Sequence, residues 1–353
     1  MKCFSNIINR SAVQVAVCIA VSIAVSIASW NPVLASDIIS KTGTTAAQFL
    51  KIGMGSRSMA MGGAVAASVN DASALYWNPA AGAFFDKGSI QVEQISWIAD
   101  MDISYYGAII PLGNSQSVGL GLVSLSTGDM LVRTVDKPEG TGEYFSATDL
   151  AFTLSYARAL TDFFSIGFNG KYIHQRIWNS HAAGIALDFG SLYYFDNRRL
   201  RIGATVSNFG QKLQYSGKDL MIVYDQNSDA SGDNSHIPAS LYTNAWDIPL
   251  IFRFGLAYDL PKLKFGEFTV EADAVHPNDN YEYLNLGLEW RPWSMVAIQM
   301  GYESLFQQDS EKGLTLGGSL HLNVGGLDLG FQYSYEDFGR LNYVQRIDLL
   351  LNF

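Results

Sequence analysis

Residues able to do chemistry are few in this chain and widely scattered. The five histidines, His174, His181, His236, His276 and His321, are candidates for metal ligation or proton transfer. No two of them stand at ligand spacing with a third donor beside them, as a zinc site requires. Gly53-Met54-Gly55 has the small residues of a phosphate-binding turn. It lacks the Gly-Lys-Ser/Thr ending, and no strand–helix pair flanks it. Asp225, Asp229 and Asp233 offer carboxylates every fourth residue. A calcium loop of the EF-hand kind places them every second residue, with Gly at six and Glu at twelve. The stretch YDQNSDASGDNS therefore reads as a solvated loop. A Ser/His/Asn or Asp/His set could assemble across strands, but no motif carries the geometry catalysis needs. Neither an enzyme nor a cofactor is expected.

The remaining chemistry is a set of charges at one parity: Arg253, Asp259, Glu271, Asp273, Glu289, Arg291, Asp328, Glu336, Arg346 and Asp348. Each sits in a run of period two. Leu250, Phe252, Phe254, Leu256 and Tyr258 alternate with Ile251, Arg253, Gly255, Ala257 and Asp259. Leu284, Leu286, Leu288 and Trp290 alternate with Asn285, Gly287, Glu289 and Arg291, and the pattern recurs through Leu314–Leu322 and Leu327–Tyr335. Such runs are strands with one greasy face and one face of Gly, hydroxyls, amides and charges.

About fourteen such strands are expected, of the length a tilted membrane strand needs. Their centres lie near Val92, Tyr105, Leu120, Phe152, Phe168, Leu187, Ala204, Phe254, Val270, Leu286, Ile298, Leu316, Phe331 and Leu349. A soluble sandwich also alternates, with its greasy face turned inward. Composition argues for a membrane barrel: 16% of the 353 residues are charged, against roughly 25% in soluble domains. The chain also ends in Ile347, Leu349, Leu351 and Phe353. That ending resembles the signal by which outer-membrane barrels reach their assembly machinery.

Residues 1–35 read as a signal peptide, with Lys2 and Arg10 before an apolar run and Val33-Leu34-Ala35 as the cleavage site. Both cysteines, Cys3 and Cys18, lie within it, so the mature chain has no thiol for disulfides, metal or catalysis. Removing it leaves 21 basic and 33 acidic residues, a net charge of −12. Nucleic acid is excluded as a partner, because its recognition runs on clustered Lys and Arg.

Loop lengths sort with the strands. If residues 36–87 sit on the inner side, the first strand runs outward and the gaps alternate outside and inside. The gaps then expected inside, 111–115, 159–162, 196–199, 260–264, 291–294 and 323–326, are all short. The two long gaps, 127–147 and 210–247, both fall outside. Short inner turns and longer outer loops are the rule for bacterial barrels. Met130, Leu131, Tyr144, Phe145, Leu220, Met221 and Tyr224 in the long gaps are candidate outer contacts.

Residues 44–85 differ in kind. Gly, Ala and Ser dominate, alternation vanishes, and Arg57 and Asp71 are the only charges between Ile52 and Phe85. A compact plug inside the wall is expected. In a packed lumen each charge needs a partner, so Arg57 and Asp71 should pair with each other or with Glu289 and Arg253. The lumen charges then either line a path for solute or brace the wall and seat the plug. The cost of unpaired buried charge favours bracing.

Gly55-Ser56-Arg57-Ser58, Met61-Gly62-Gly63-Ala64, Asn70-Asp71-Ala72 and Tyr76-Trp77-Asn78-Pro79-Ala80 resemble the N-terminal signature of PorV/PorQ-type outer-membrane proteins. That group is similar to the FadL long-chain fatty-acid transporters, whose N-terminal segment also ends in Asn-Pro-Ala before the first strand. The resemblance implies a FadL-like antiparallel barrel in a Gram-negative outer membrane, surrounded by lipid. The domains would be residues 1–35 as signal, 36–87 as plug and 88–353 as barrel. Arg57, Gly62, Gly63, Asp71, Asn78 and Pro79 would be structural plug residues. The PorV likeness implies a subunit of type IX secretion, whose partners are a translocon and its cargo. The wider FadL likeness implies a channel for hydrophobic small molecules.

Overall fold

The computed structural model describes residues 41–353 except 114, 196–197, 226–235 and 309. The expected signal peptide and its cleavage site, together with Asp229 and Asp233, lie outside these residues. Fourteen strands make the wall: β1 Ser89–Ser96, β2 Asp102–Pro111, β3 Gln116–Ser126, β4 Ala147–Ala159, β5 Phe164–Ile177, β6 Ser180–Tyr194 and β7 Leu200–Gly210, then β8 Ile251–Asp259, β9 Glu267–Pro277, β10 Tyr283–Trp293, β11 Val296–Leu305, β12 Leu314–Val324, β13 Leu327–Asp337 and β14 Tyr343–Asn352. Neighbours in sequence pair antiparallel throughout. The sheet closes when β14 pairs β1, from Ser89↔Asn352 to Ser96↔Gln345. All fourteen expected centres fall inside these strands. Closure leaves the wall no free edge, the condition for crossing lipid with strands.

The alternation read from sequence is the alternation of the wall. On β8, Phe252, Phe254 and Leu256 point outward and are exposed, whereas Arg253 between them is buried in the lumen. The six short turns all lie at one end, and the two long loops at the other. Each long loop carries a small hairpin, Met130–Leu131 with Tyr144–Phe145 and Met221–Tyr224 with Ile237–Ser240.

Residues 53–83 fill the lumen and are buried except Asn70. They form short helices, Ser56–Ala60, Ala74–Trp77 and the 3₁₀ turn Pro79–Phe84, rather than strands. The wall makes room with glycine. A Cβ on Gly203 would stand 2.1 Å from the Ala66 oxygen, and one on Gly301 would stand 2.1 Å from the Gly62 nitrogen. Gly62 and Gly63 both take left-handed φ, 67° and 69°, which favours glycine. Asn78 caps the following turn by accepting from Ala80 N at 3.1 Å, with Pro79 at the first helical position. Its amide also donates to Ala66 O and Ser191 O, tying plug to plug and plug to wall.

The plug is not confined to the short-turn end. There Gly88 and Phe353 exchange backbone hydrogen bonds and Lys87 reaches Gly326 O. At the long-loop end Ala46 N donates to Asp247 O, and Thr45 and Lys51 bind Asp279. The segment therefore runs the length of the lumen.

Candidate functional site

An irregular segment buried in a barrel must find partners for its backbone groups. The lumen side chains supply them. Glu93 on β1 accepts from Gly55 N at 2.7 Å, and Asp348 on β14 accepts from Ser56 N at 3.3 Å. On β9, Asp273 takes Val65 N and Ala66 N at 3.0 and 2.9 Å, and Glu271 takes Ala67 N at 2.7 Å. Wall donors meet the plug carbonyls: Tyr105 to Ala72 O, Asn169 to Leu75 O, Thr315 to Ala60 O and Ser165 to Ala80 O. Arg346, fully buried, pairs with Glu336 and donates to Gly53 O at 2.6 Å.

Arg57 pairs with Glu289 on β10 at 2.6 Å, one of the two partners expected for it. Glu289 also meets Arg291 at 2.8 Å and Gln299 at 3.1 Å. Asp71 does otherwise. Its Oδ1 accepts from Ser73 N and Ser73 Oγ, and its Oδ2 has no hydrogen-bond partner among the described residues. The expected ion pair is not made, because the carboxylate closes a local turn two residues ahead instead. Among the described residues Arg253 forms no ion pair. It lies over the rings of Trp77 and Tyr76, 5.2 and 5.4 Å from their centres, and reaches Ser207 Oγ.

Two recesses flank the plug core. The short-turn recess, about 620 Å³, is polar and is lined by Asn70, Asp71, Arg291, His321 and Asp328. The long-loop recess, about 720 Å³, is mainly apolar and is lined by Phe49, Ile52, Trp97, Met101, Leu125 and Trp246. Between them Leu50, Met54 and Tyr105 border a void of about 20 Å³, enough for a single water. Asp279 anchors the plug's outer end, accepting from Thr45 Oγ1 at 2.7 Å, Gln48 Nε2 at 3.1 Å and Lys51 Nζ at 3.1 Å. Burial alone would raise its pKa, yet these donors and the Lys51 charge hold it below the ordinary value.

Among the described residues no three His, Cys, Asp or Glu could hold a metal. His174 and His181 stack 6.1 Å apart, His276 meets Glu282, and His321 faces Asp328 at the short-turn recess. Of the candidate loop contacts, Tyr144, Met221 and Tyr224 are exposed. Met130, Leu131, Phe145 and Leu220 are half-buried, with Phe145 against Trp178. Ile222, Val223, Leu241 and Tyr242 are exposed too. Sequence reading passed over these four, although Ile222 and Val223 continue the apolar run beginning at Leu220.

A family model described as type IX secretion system protein PorV matches residues 35–220, which include the plug and β1 to β7. The chain belongs to the PorV family. This family assignment accounts for the plug signature, while the barrel itself is shared more widely. The Ralstonia pickettii toluene transporter TbuX is similar in structure, at 15% identity and a TM-score of 0.54, over 85% of this chain and 97% of that one. The monoaromatic hydrocarbon channel CymD gives 14% and 0.53, over 85% and 96%. A Pseudomonas aeruginosa FadL homologue gives 12% and 0.51, over 85% and 98%. At these identities the likeness shows a FadL-like fold, which this PorV family member places in the outer membrane. None of the curated proteins matches the chain.

Proposed function

We propose that this protein is a non-enzymatic partner subunit of type IX secretion. It docks through its long loops beside a translocon and carries exported cargo toward the attachment machinery at the cell surface. The long loops face outward, following the asymmetry of bacterial barrels. One observation carries the reading: a buried, braced plug fills the lumen, while the long-loop end exposes the apolar hairpin of Met221, Ile222, Val223 and Tyr224. A transport path would need a continuous lumen, whereas a docking subunit needs a rigid body with an apolar patch.

The test is gentle extraction of the wild type and of a Met221→Asp, Val223→Asp double variant. The wild type should co-purify with a much larger barrel protein, and the variant should lose it while its gel mobility still shifts on boiling. Retention of that partner by the variant overturns the hairpin as the docking surface. A second reading, a channel for hydrophobic small molecules, draws on the apolar recess over Phe49, Trp97 and Trp246. Its mark would be a lipid-like molecule extracted with the wild type in place of a protein.

A further inference from the structure

The plug's two ends are held in different ways and at opposite ends of the barrel. At the short-turn end it is covalently continuous with β1, one residue after Gly88. Its middle is held by buried bonds to nearly every side of the wall, among them Arg57–Glu289 and Arg346–Gly53. The long-loop end is held mainly by loops. Asp279, between β9 and β10, gathers Thr45, Gln48 and Lys51, Asp247 accepts from Ala46, and Gln175 of β5 accepts from Ala47 N at 3.0 Å. Residues 41–44 ahead of this clasp are exposed, and Lys51 is itself partly solvated. A segment tied to the wall at one end can leave the lumen only from its other end. Local opening begins where bonds are least buried, which here is the Asp279 clasp, part-buried where the bonds of the plug's middle are buried.

We propose that residues 41–51 form a strap on the cell-facing surface, latched by Asp279, so that a partner docked on the long loops reaches the plug directly and releases it from outside. The strap and the loops line one recess, which makes them a single surface for such a partner. This rests on the outward orientation of the long loops proposed above, and the experiment separates the two.

The only native cysteines, Cys3 and Cys18, are first replaced by alanine. Single cysteines are then placed at exposed Lys41, at Val135 in a long loop and at Asp86 near the short-turn end. Intact cells are treated with a membrane-impermeant maleimide. Lys41→Cys and Val135→Cys should label as fully as in permeabilised cells, and Asp86→Cys only after permeabilisation. An unlabelled Lys41→Cys beside a labelled Val135→Cys overturns the strap and leaves the orientation standing. Labelling of Asp86→Cys without Val135→Cys overturns the orientation, and the strap with it. The latch is read at buried Leu50→Cys, which should label severalfold faster in intact cells when Asp279→Ala or Lys51→Met is added. Equal rates in both backgrounds, with gel mobility still shifting on boiling, overturn the latch.

Discussion

Glu289 and Arg57 illustrate how a buried pair distributes its risk. Removing one member of a buried pair typically costs about 3–5 kcal/mol, because the other is left charged and unpaired. Arg57→Ala leaves Glu289 with Arg291 and Gln299, whereas Glu289→Ala leaves Arg57, among the described residues, with the Ser68 carbonyl at 3.5 Å and the more distant charges of Asp71 and Glu271. Glu289→Ala should therefore sit at the upper end of that range and Arg57→Ala at or below the lower. Protease cleavage within residues 53–83 should be faster in both, and fastest in Glu289→Ala. Asp71→Ala removes one turn rather than an ion pair and should cost only about 1 kcal/mol. Cleavage in Asp71→Ala as fast as in Glu289→Ala would mean that Asp71 braces the plug after all. Asp279 adds a pH dependence. Its folded pKa is depressed, so its stabilisation is present above the unfolded value and lost as pH falls through the folded one. Labelling at Leu50→Cys, measured with a pH-tolerant thiol reagent, should stay slow at neutral and mildly acidic pH. It should rise only below the ordinary carboxylate range.

Among the elements, the wall carries the fit to the plug in its glycines. Gly301→Ala places a methyl group against the plug backbone near Gly62. Overpacking of this kind costs about 1–3 kcal/mol, or more where backbone must move. The variant should accumulate less of the heat-modifiable form, whereas Gly170→Ala, with nothing within 4 Å of its new methyl, should match wild type. Equal yields of all three would show that the wall yields freely to the plug. The strands themselves were legible because each is written locally, in the alternation of Phe252, Arg253 and Phe254, and the turns because their lengths sort by parity. The wiring of the plug was not. Asp273 meets Val65 only because strands some two hundred residues away in sequence curl around it, and no local pattern encodes that meeting. Arg57–Glu289 was foreseeable because the plug holds so few charges. The same reasoning misplaced Asp71, since a carboxylate can also be satisfied by a turn two residues away. The path of the plug to the long-loop end left no signature in sequence at all.

For the whole molecule the decisive property is closure. The wall bonds to itself around its full circumference, from β1 through β14 and back to β1. Its integrity therefore does not depend on the plug's hydrogen bonds. The plug in turn lies between a polar recess at the short-turn end and an apolar one at the long-loop end. Wild-type protein in a planar bilayer should thus stay non-conducting. Deleting residues 41–84 should leave a barrel that still resists denaturation until boiled but conducts, since fourteen strands enclose more space than the remaining wall side chains fill. Opening should also expose Glu93, Glu271, Asp273 and Asp348, stripped of their plug N–H donors, together with Glu336, against the fewer buried wall cations Lys171, Arg253 and Arg346. The resulting pore should prefer cations, read as the sign of the reversal potential in a salt gradient. A deletion variant that remains closed would show that the wall collapses inward without its plug. Anion preference would show that the wall cations Lys171, Arg253 and Arg346, rather than the carboxylates that seat the plug, dominate the lumen field.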